Sequence, residues 1–232
     1  MISDGSVAVL TVLGAIVGLD FVSFPQAMLS RPIVSATLGG AVVGDVQIGL
    51  LVGVLLECFA LETMPFGASR YPEWGPASVA AGAMAALHGG DVDSDARIVP
   101  FAVLAGLAGS MIGGQTLVWL RRFNLTVAQR YRAELAEGDA AAVVSVHWTG
   151  LVVDFGRAGA VTAVLVLVFQ PLRTVMAAAL ADMSSGLSLG VVSCIAVGVA
   201  GGAVWKVVHT TKDYARWLLA GALIGVALAV YL

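Results

Sequence analysis

This chain consists, almost from end to end, of long apolar runs that are separated by polar stretches. The runs are rich in Val, Leu, Ala and Gly, and few charges lie inside them. They cover residues 7–24, 33–60, 77–87, 98–120, 158–181, 187–208 and 217–232. Since about 20 apolar residues form a helix that crosses a membrane core roughly 30 Å thick, several runs are long enough to span it. The pattern predicts an all-α integral membrane protein that folds as a polytopic helical bundle.

The run over residues 33–60 differs from the others because a polar kink divides it. Two apolar arms, residues 33–44 and 49–60, flank Asp45-Val46-Gln47. At a rise of 1.5 Å per residue, an arm of about a dozen residues crosses only about half of the membrane core. Half-length helices are tolerated at membrane depth where they line a cavity or are buried in protein. The run therefore predicts a re-entrant helical hairpin at a transport site.

One hydrophilic connection is long. Residues 121–147 carry four arginines and three acidic side chains, and they predict an amphipathic helix at the membrane surface. Because cytoplasmic loops are enriched in Lys and Arg, we expect this connection to face the cytoplasm. The run over 187–208 then brings Lys206 and Lys212 to the same side, while the acidic loop 91–95 faces the other. The hydrophilic parts are all loops, so residues 1–232 are predicted to form one transmembrane domain, with its site region at about 20–75.

Composition supports a membrane protein and excludes several other classes. Hydrophobic residues make up 59% of the chain and charged residues 12%, against about 25% charged in soluble domains. The mean hydropathy is +0.95. Without a basic patch, nucleic acid is not an expected partner. Cys58 and Cys194 lie in apolar segments without a second ligand at metal spacing, so we predict neither a metal nor a cofactor. The chain also lacks a catalytic triad pattern and a phosphate-binding glycine loop, so we predict a transport subunit without catalytic residues.

Acidic side chains inside the apolar runs are the sharpest candidates for function. A carboxylate at membrane depth costs roughly 2.5–3.5 kcal/mol on insertion scales and indicates a functional site by default. Asp45 and Glu57, with Gln47 between them, can accept hydrogen bonds from several sugar hydroxyls. The same two acids can instead bind a cation or shuttle a proton. A third interpretation is that one of them caps the N-terminus of a half-helix.

Three more residues close to the hairpin are candidates. Asp20 ends the first apolar run, and it lies either in the same cavity or at the membrane interface. Glu73 has Arg70 available as an ion-pair partner. Trp74 suits either an aromatic belt at the interface or a stacking platform for the face of a sugar ring.

Glycine occurs 28 times, often as pairs within the apolar runs. Examples are Gly39-Gly40, Gly113-Gly114 and Gly201-Gly202. Small residues allow membrane helices to pack closely, which is the simpler interpretation of each pair. A hinge in a moving element is the alternative, and the pair in the hairpin is the better candidate for it.

Several motifs recur here in an order and spacing found in one family. They are Arg31-Pro32, Gly44-Asp45, Gly53, Leu56-Glu57, Ala60-Leu61, Gly67-Ala68 and Pro72-Glu73. With them the chain resembles the IIC membrane subunit of the mannose/fructose/sorbose family of sugar phosphotransferase systems. The resemblance is good over residues 14–90 and continues more loosely through Gly114-Gln115, Arg121, His147 and Arg157.

The resemblance implies a subunit that binds a hexose-like sugar in the bacterial cytoplasmic (inner) membrane and moves it inward. It implies a IID membrane partner in a hetero-oligomer with several IIC copies. Cytoplasmic IIA and IIB proteins would carry the phosphoryl group to the sugar. By position, Asp20, Asp45, Glu57 and Glu73 would be the polar residues nearest the sugar. Gln47 and Trp74, chosen above from the residues alone, complete the predicted site.

Two other functions stay open from the residues. One is an ion-coupled secondary transporter in which Asp45 and Glu57 form the cation site. The other is a non-transporting membrane scaffold or regulatory subunit that keeps the same fold. Neighbouring genes for IID, IIA and IIB proteins would favour the phosphotransferase system over both.

Overall fold

The computed structural model describes residues 2–61, 70–87, 92–179, 182, 184–210 and 213–231. Within these ranges the chain forms nine α-helices joined by short segments. The helices are α1 Asp4–Val22, α2 Pro32–Val43, α3 Val46–Ala60, α4 Trp74–Ala86, α5 Val92–Arg130, α6 Arg132–Ala136, α7 Ala140–Ala179, α8 Ser185–Val208 and α9 Tyr214–Tyr231. Each predicted apolar run falls on a helix or, for 33–60, on a pair of helices, and α5 and α7 extend well beyond their runs. The prediction of an all-α bundle is confirmed.

Helix length separates the spans from the shorter helices. Four helical stretches in the described residues are long and apolar enough to cross a membrane: Asp4–Val22, Arg97–Arg130, Ala140–Ala179 and Ser185–Val208. α2 and α3 have only 12 and 15 residues. They form the predicted helical hairpin, which turns at Gly44, where φ is 107°. This left-handed conformation favours glycine, since it has no Cβ.

Glycine allows the hairpin to pack tightly on itself and on α4. A Cβ on Gly40 would lie 2.7 Å from the Cα of Gly49 across the hairpin. A Cβ on Gly39 would lie 2.2 Å from the carbonyl oxygen of Val79 in α4. Both contacts are too short for any side chain, so the Gly39-Gly40 pair serves close packing in this structure.

α4 lies at the centre of the bundle. All of its 13 residues are buried, and it packs against α1, α2, α3, α5 and α7. At 1.5 Å per residue it is about 20 Å long, too short to cross a membrane core. Because protein surrounds it on every side, a helix of this length is tolerated at membrane depth.

Residues 121–147 do not form the separate surface helix that was predicted. α5 continues to Arg130, α7 begins at Ala140, and the five-residue α6 lies between them. α5 has 39 residues and α7 has 40. Each is therefore about 60 Å long, roughly twice the thickness of a membrane core. Val127 and Ala142 are buried in this extension, so apolar packing continues beyond the predicted end of the span.

Some predicted features lie partly outside the described residues. The Gly67-Ala68 turn is one of them, as is Lys212 of the second basic cluster. The stretch 91–95 was predicted as an acidic loop, but α5 already begins at Val92. The backbone of this stretch is thus helical from its second residue onward.

Candidate sugar-binding site

A cavity of about 670 Å³ lies at the end of the bundle where α1 ends and α4 begins. Its walls come from the last turn of α1, from the segments that precede α2 and α4, and from α5. The polar and aromatic side chains on these walls include Asp20, Phe21, Ser23, Gln26, Arg31, Tyr71, Trp74, Arg121 and Asn124. This volume is within the range of about 300–1,000 Å³ that small-molecule sites occupy.

Asp20 lies on the cavity wall and not at an exposed interface. Its side chain is 2% exposed, and one carboxylate oxygen accepts the backbone N–H of Ala27 at 2.6 Å. The other oxygen accepts the backbone N–H of Ser30 at 2.9 Å. Between α1 and these donors, Gln26 and Met28 adopt φ angles of 60° and 63°, which non-glycine residues rarely occupy. Asp20 therefore holds this wall segment in a strained conformation.

Glu57 is linked to the cavity by its ion pair with Arg31, which lies on the cavity wall. The Nε of Arg31 donates to Glu57 Oε1 at 2.7 Å, and its Nη2 donates to the same oxygen. The other carboxylate oxygen accepts the backbone N–H of Ile33 at 3.2 Å, at the N-terminus of α2. Glu57 thus joins the two arms of the hairpin and fixes a guanidinium on the cavity wall.

Glu73 and Asp154 share one arginine in the interior. Both carboxylates are completely buried. Arg157 donates to the two oxygens of Glu73 at 2.6 and 2.7 Å and to Asp154 at 2.7 Å. The Ser23 hydroxyl, on the cavity wall, donates to the second oxygen of Asp154 at 2.5 Å. Sequence reasoning offered Arg70 as the partner of Glu73, whereas the structure gives Arg157, 84 positions away.

This buried cluster is densely connected. The Nη1 of Arg157 also donates to the hydroxyl of Thr116 at 2.7 Å. Gly113 makes room for Glu73, since a Cβ there would lie 2.9 Å from the carboxylate. Two carboxylates and one guanidinium carry a formal charge of −1, and the Ser23 hydroxyl that donates to Asp154 offsets part of the excess. The cluster links α4, α5 and α7 to the end of α1.

Trp74 is 6% exposed and forms part of the cavity wall at the first position of α4. It lies inside the bundle and not in an exposed belt. Tyr71 contributes a second ring to the same wall, edge-on to Phe21 with centroids 5.3 Å apart. The cavity therefore combines aromatic faces with hydrogen-bonding groups, as the binding of a sugar ring requires.

Asp45 and Gln47 lie at the opposite end of the hairpin. Asp45 is the N-cap of α3 and accepts the backbone N–H of Ile48 at 3.0 Å, so the capping interpretation describes it in this structure. Gln47 is exposed. The 12-residue α2 separates them from Arg31, a distance of about 18 Å along the helix. Their contact with a sugar stays a prediction.

The distance between Asp45 and Glu57 tests the alternative in which these two acids form a cation site. Asp45 precedes α3 and Glu57 lies 12 positions further along it, so the two are about 18 Å apart. Among the described residues, no group of three or more His, Cys, Asp or Glu side chains is arranged to hold a metal ion. Asp45 and Glu57 do not form one site in this structure.

Sequence reasoning missed two site-forming residues because it placed the start of the apolar run over 158–181 at Ala158. Asp154 and Arg157 lie between the end of the polar connection at His147 and that point, so they were assigned to neither segment. In the structure both are part of α7, well inside a stretch that can span a membrane. An acid and an arginine three positions apart within a membrane helix are a usable indication of a functional cluster.

Membrane-spanning helices, a half-length hairpin and a cavity with polar and aromatic walls are features of a helical membrane permease. Comparison with known proteins identifies its family. The family model described as "PTS system sorbose-specific iic component" matches residues 5–232. The chain belongs to this family, and it is a IIC-type permease component of a sugar phosphotransferase system.

Three curated relatives are also IIC components, and their sequence identity to this chain is modest. The chain is 24% identical to the PTS system sorbose-specific EIIC component of Lacticaseibacillus casei, over 86% of this chain and 70% of the relative. It is 28% identical to N-acetylgalactosamine permease IIC component 1 of Escherichia coli (strain K12), over 62% of this chain and 51% of the relative. It is 35% identical to the fructose permease IIC component of Bacillus subtilis (strain 168), over 33% of this chain and 28% of the relative.

Two solved structures have the same fold. A chain described as "Structure of membrane protein" has a TM-score of 0.71 and 18% identity, covering 100% of this chain and 96% of that one. A chain of the cryoEM structure of the mannose transporter ManYZ in complex with microcin E492 has a TM-score of 0.62 and 16% identity, covering 99% and 95%. At these identities the similarity concerns the fold. Together with the family match, it confirms the prediction of a membrane IIC component.

Proposed function

We propose that this chain binds and translocates a hexose-like sugar in the bacterial inner membrane, as the IIC subunit of a phosphoenolpyruvate-dependent phosphotransferase system. The observation that carries the proposal is the cavity between α1, α4 and α5. Asp20 supplies a carboxylate on its wall, and Gln26 supplies an amide that both donates and accepts. Trp74 supplies an apolar ring face for the C–H side of the sugar.

The predicted acids then act at different distances from the sugar. Asp20 and Trp74 contact it directly. Glu57 acts by holding Arg31 on the wall, and Glu73 acts through Arg157, which fixes Asp154 and with it Ser23. Asp45 and Gln47 belong to the site only if the hairpin tip moves toward the cavity during transport, over a distance comparable to the length of α2.

The subunit functions with partners. A IID membrane subunit, in a hetero-oligomer with several copies of this chain, is part of the proposal. The outer surface of α8 supports it: a Cβ on Gly201 or Gly202 would meet no atom within 4 Å. On the same helix Trp205 is 50% exposed. A glycine surface beside an exposed aromatic suits close packing against helices of another subunit.

Phosphoryl transfer in this proposal is carried out by cytoplasmic IIA and IIB proteins. The paired ends of α5 and α7, with α6 between them, form the place where a IIB protein would dock on the cytoplasmic side. The arginines of residues 121–132 support this orientation, since positively charged segments favour the cytoplasmic face. The cavity lies at the same end of α5, because Arg121 and Asn124 form part of its wall.

The test is uptake and phosphorylation of labelled hexoses by membranes that contain this chain with and without its IID partner. We expect activity only with the partner present and with IIA and IIB supplied. Trp74→Phe should weaken sugar binding, while Trp119→Phe, at a side chain 59% exposed on α5, should not. A lone subunit that transports sugar without phosphorylating it would support an ion-coupled carrier. A complex that assembles but binds no sugar would support a scaffold.

A further inference from the structure

The cavity wall contains a buried hydrogen-bond acceptor that the protein itself does not satisfy. Asn124 of α5 forms part of the wall, and its Oδ1 is buried with no hydrogen-bond partner among the described residues. Most buried side-chain oxygens in folded proteins have a partner, so an exception calls for an explanation. An amide oxygen only accepts hydrogen bonds. The missing partner is therefore an O–H or N–H donor.

The surroundings of Asn124 allow its amide oxygen to turn toward the cavity. Gly150 of α7 lies beside the amide, and a Cβ there would be 3.6 Å from the amide nitrogen and 3.7 Å from Oδ1. Because Gly150 lacks this atom, the amide has open space on that side. The terminal torsion of an asparagine side chain has only a broad preference. Rotation about it can therefore present the oxygen to a ligand at little cost.

Tyr71 supplies a hydroxyl donor on the same wall. Its ring is held edge-on by Phe21, with centroids 5.3 Å apart, and the guanidinium carbon of Arg121 lies 4.9 Å from the ring centroid. The Nη2 of Arg121 donates to the Tyr71 hydroxyl, so the proton of that hydroxyl can be donated to another group. Arg121 and Asn124 are three residues apart and lie on one face of α5. The donor and the acceptor are thus on the same side of the cavity.

A hydroxyl group matches this pair better than other polar groups do. It can donate its proton to Oδ1 of Asn124 and accept the proton of Tyr71 with a lone pair. A protonated amine satisfies Asn124 but cannot accept from Tyr71. A carboxylate accepts from Tyr71 but brings no donor for Asn124. The pair therefore selects a neutral ligand that carries a hydroxyl group.

We infer that Asn124 is a specificity-determining residue, whose amide oxygen accepts a hydrogen bond from one hydroxyl of the sugar while Tyr71 donates to the same hydroxyl. The inference rests on the proposed function and names the contact that selects the substrate. Asp20 depends less on the sugar, since both of its oxygens already accept backbone N–H groups. A site built to bond a substrate hydroxyl rejects an analogue that lacks it, because the polar groups of the site then stay unpaired.

Calorimetric titration of the assembled membrane complex in nanodiscs tests this contact. The probes are D-glucose, D-mannose and D-fructose, followed by the monodeoxy and monofluoro analogues of the hexose that binds. A fluorine atom in place of a hydroxyl removes the donor. At one ring position, both analogues should therefore bind about tenfold more weakly than the parent hexose. Asn124→Leu should weaken the parent hexose by about the same factor and abolish the discrimination. Asn124→Asp keeps an acceptor and should retain it.

Thermal unfolding of the ligand-free complex separates recognition from a structural role. Leu has nearly the shape of Asn and removes the unsatisfied oxygen, so Asn124→Leu should be at least as stable as the native complex. A lower unfolding temperature would show that the amide serves the fold and would overturn the inference. Gln115→Leu, at an exposed amide of α5 outside the cavity wall, is the matched control. It should change neither the affinity nor the discrimination.

The titrations distinguish failure of the inference from failure of the proposed function. A native complex that binds a hexose but tolerates every monodeoxy analogue would overturn the inference and leave the proposed function intact. Discrimination that persists in Asn124→Leu, or that is lost in a folded Asn124→Asp complex, would do the same. If none of the three hexoses binds to the native complex, both proposals are overturned.

Discussion

Two arginine–carboxylate clusters join the helices around the cavity, and they differ in burial and in what they connect. Arg31 and Glu57 lie within the hairpin, with side chains 36% and 20% exposed. Arg157 is 11% exposed and pairs with Glu73 and Asp154, which are both at 0%. The first cluster ties together neighbouring arms of one hairpin. The second ties together helices that are far apart in the sequence.

The difference in burial assigns the two clusters different roles. A partly exposed ion pair contributes only about 0–1 kcal/mol, because water and other partners replace it easily. Breaking a buried pair costs about 3–5 kcal/mol, since it leaves a charge without compensation. We therefore expect the cluster around Arg157 to hold the bundle together. Arg31 and Glu57 can exchange partners as a ligand enters or as the hairpin moves.

The largest loss of stability is expected when the cation shared by the two buried carboxylates is removed. Arg157→Gln leaves Glu73 and Asp154 buried without their guanidinium, so we expect a loss of stability of about 3–5 kcal/mol. The measurement is thermal unfolding of the purified complex, together with its elution profile in detergent. Arg132→Gln, at an exposed position of α6, is the control. A variant at Arg157 as stable as the native chain would contradict the structural role of the cluster.

Removing one of the two carboxylates should have a smaller effect. Asp154→Asn leaves the one-to-one pair of Arg157 and Glu73 intact and keeps the shape of the side chain. It weakens the contact with Ser23, and we expect a loss of about 1.5–3 kcal/mol, the range for hydrogen bonds to charged groups. Ser23→Ala in the same background should add little. Additive losses in the double variant would show that the two residues are not coupled.

Substitution in the pair of Arg31 and Glu57 should affect sugar binding more than stability, the opposite of what is expected for the cluster around Arg157. Glu57→Gln should change the free energy of unfolding by no more than about 1 kcal/mol. It also frees Arg31 from its anchor on the cavity wall, so sugar affinity should fall about tenfold. Unfolding and sugar binding are measured on the same preparation, with Glu137→Gln as an exposed control. A large drop in stability with unchanged affinity would reverse the assignment of roles.

The smallest effect is expected at the hairpin turn. Asp45→Ala removes the N-cap of α3 and should cost about 1 kcal/mol, whereas Asp45→Asn still caps the helix and should cost little. Thermal unfolding distinguishes the two variants. A loss of sugar affinity in Asp45→Asn at unchanged stability would mean that this end of the hairpin meets the sugar in another state of the transport cycle.

The helices and their class were predictable from the amino-acid sequence alone. Apolar runs predict helices in a membrane protein because each backbone N–H and C=O must find a partner within its own segment. The hairpin was equally predictable, since the run over 33–60 is divided by Gly44 and Asp45. Family membership followed from motifs such as Leu56-Glu57 and Pro72-Glu73, which lie close together in the chain.

The pairing of the charged side chains and the position of the cavity could not be predicted from the sequence, because they depend on how the helices pack together. Glu73 pairs with Arg157 at a separation of 84 positions and not with the nearby Arg70. α5 and α7 continue as helices beyond the predicted spans because apolar side chains such as Val127 are buried there. Helix formation depends on neighbours in the chain, whereas the pairing of buried charges depends on which helices pack side by side.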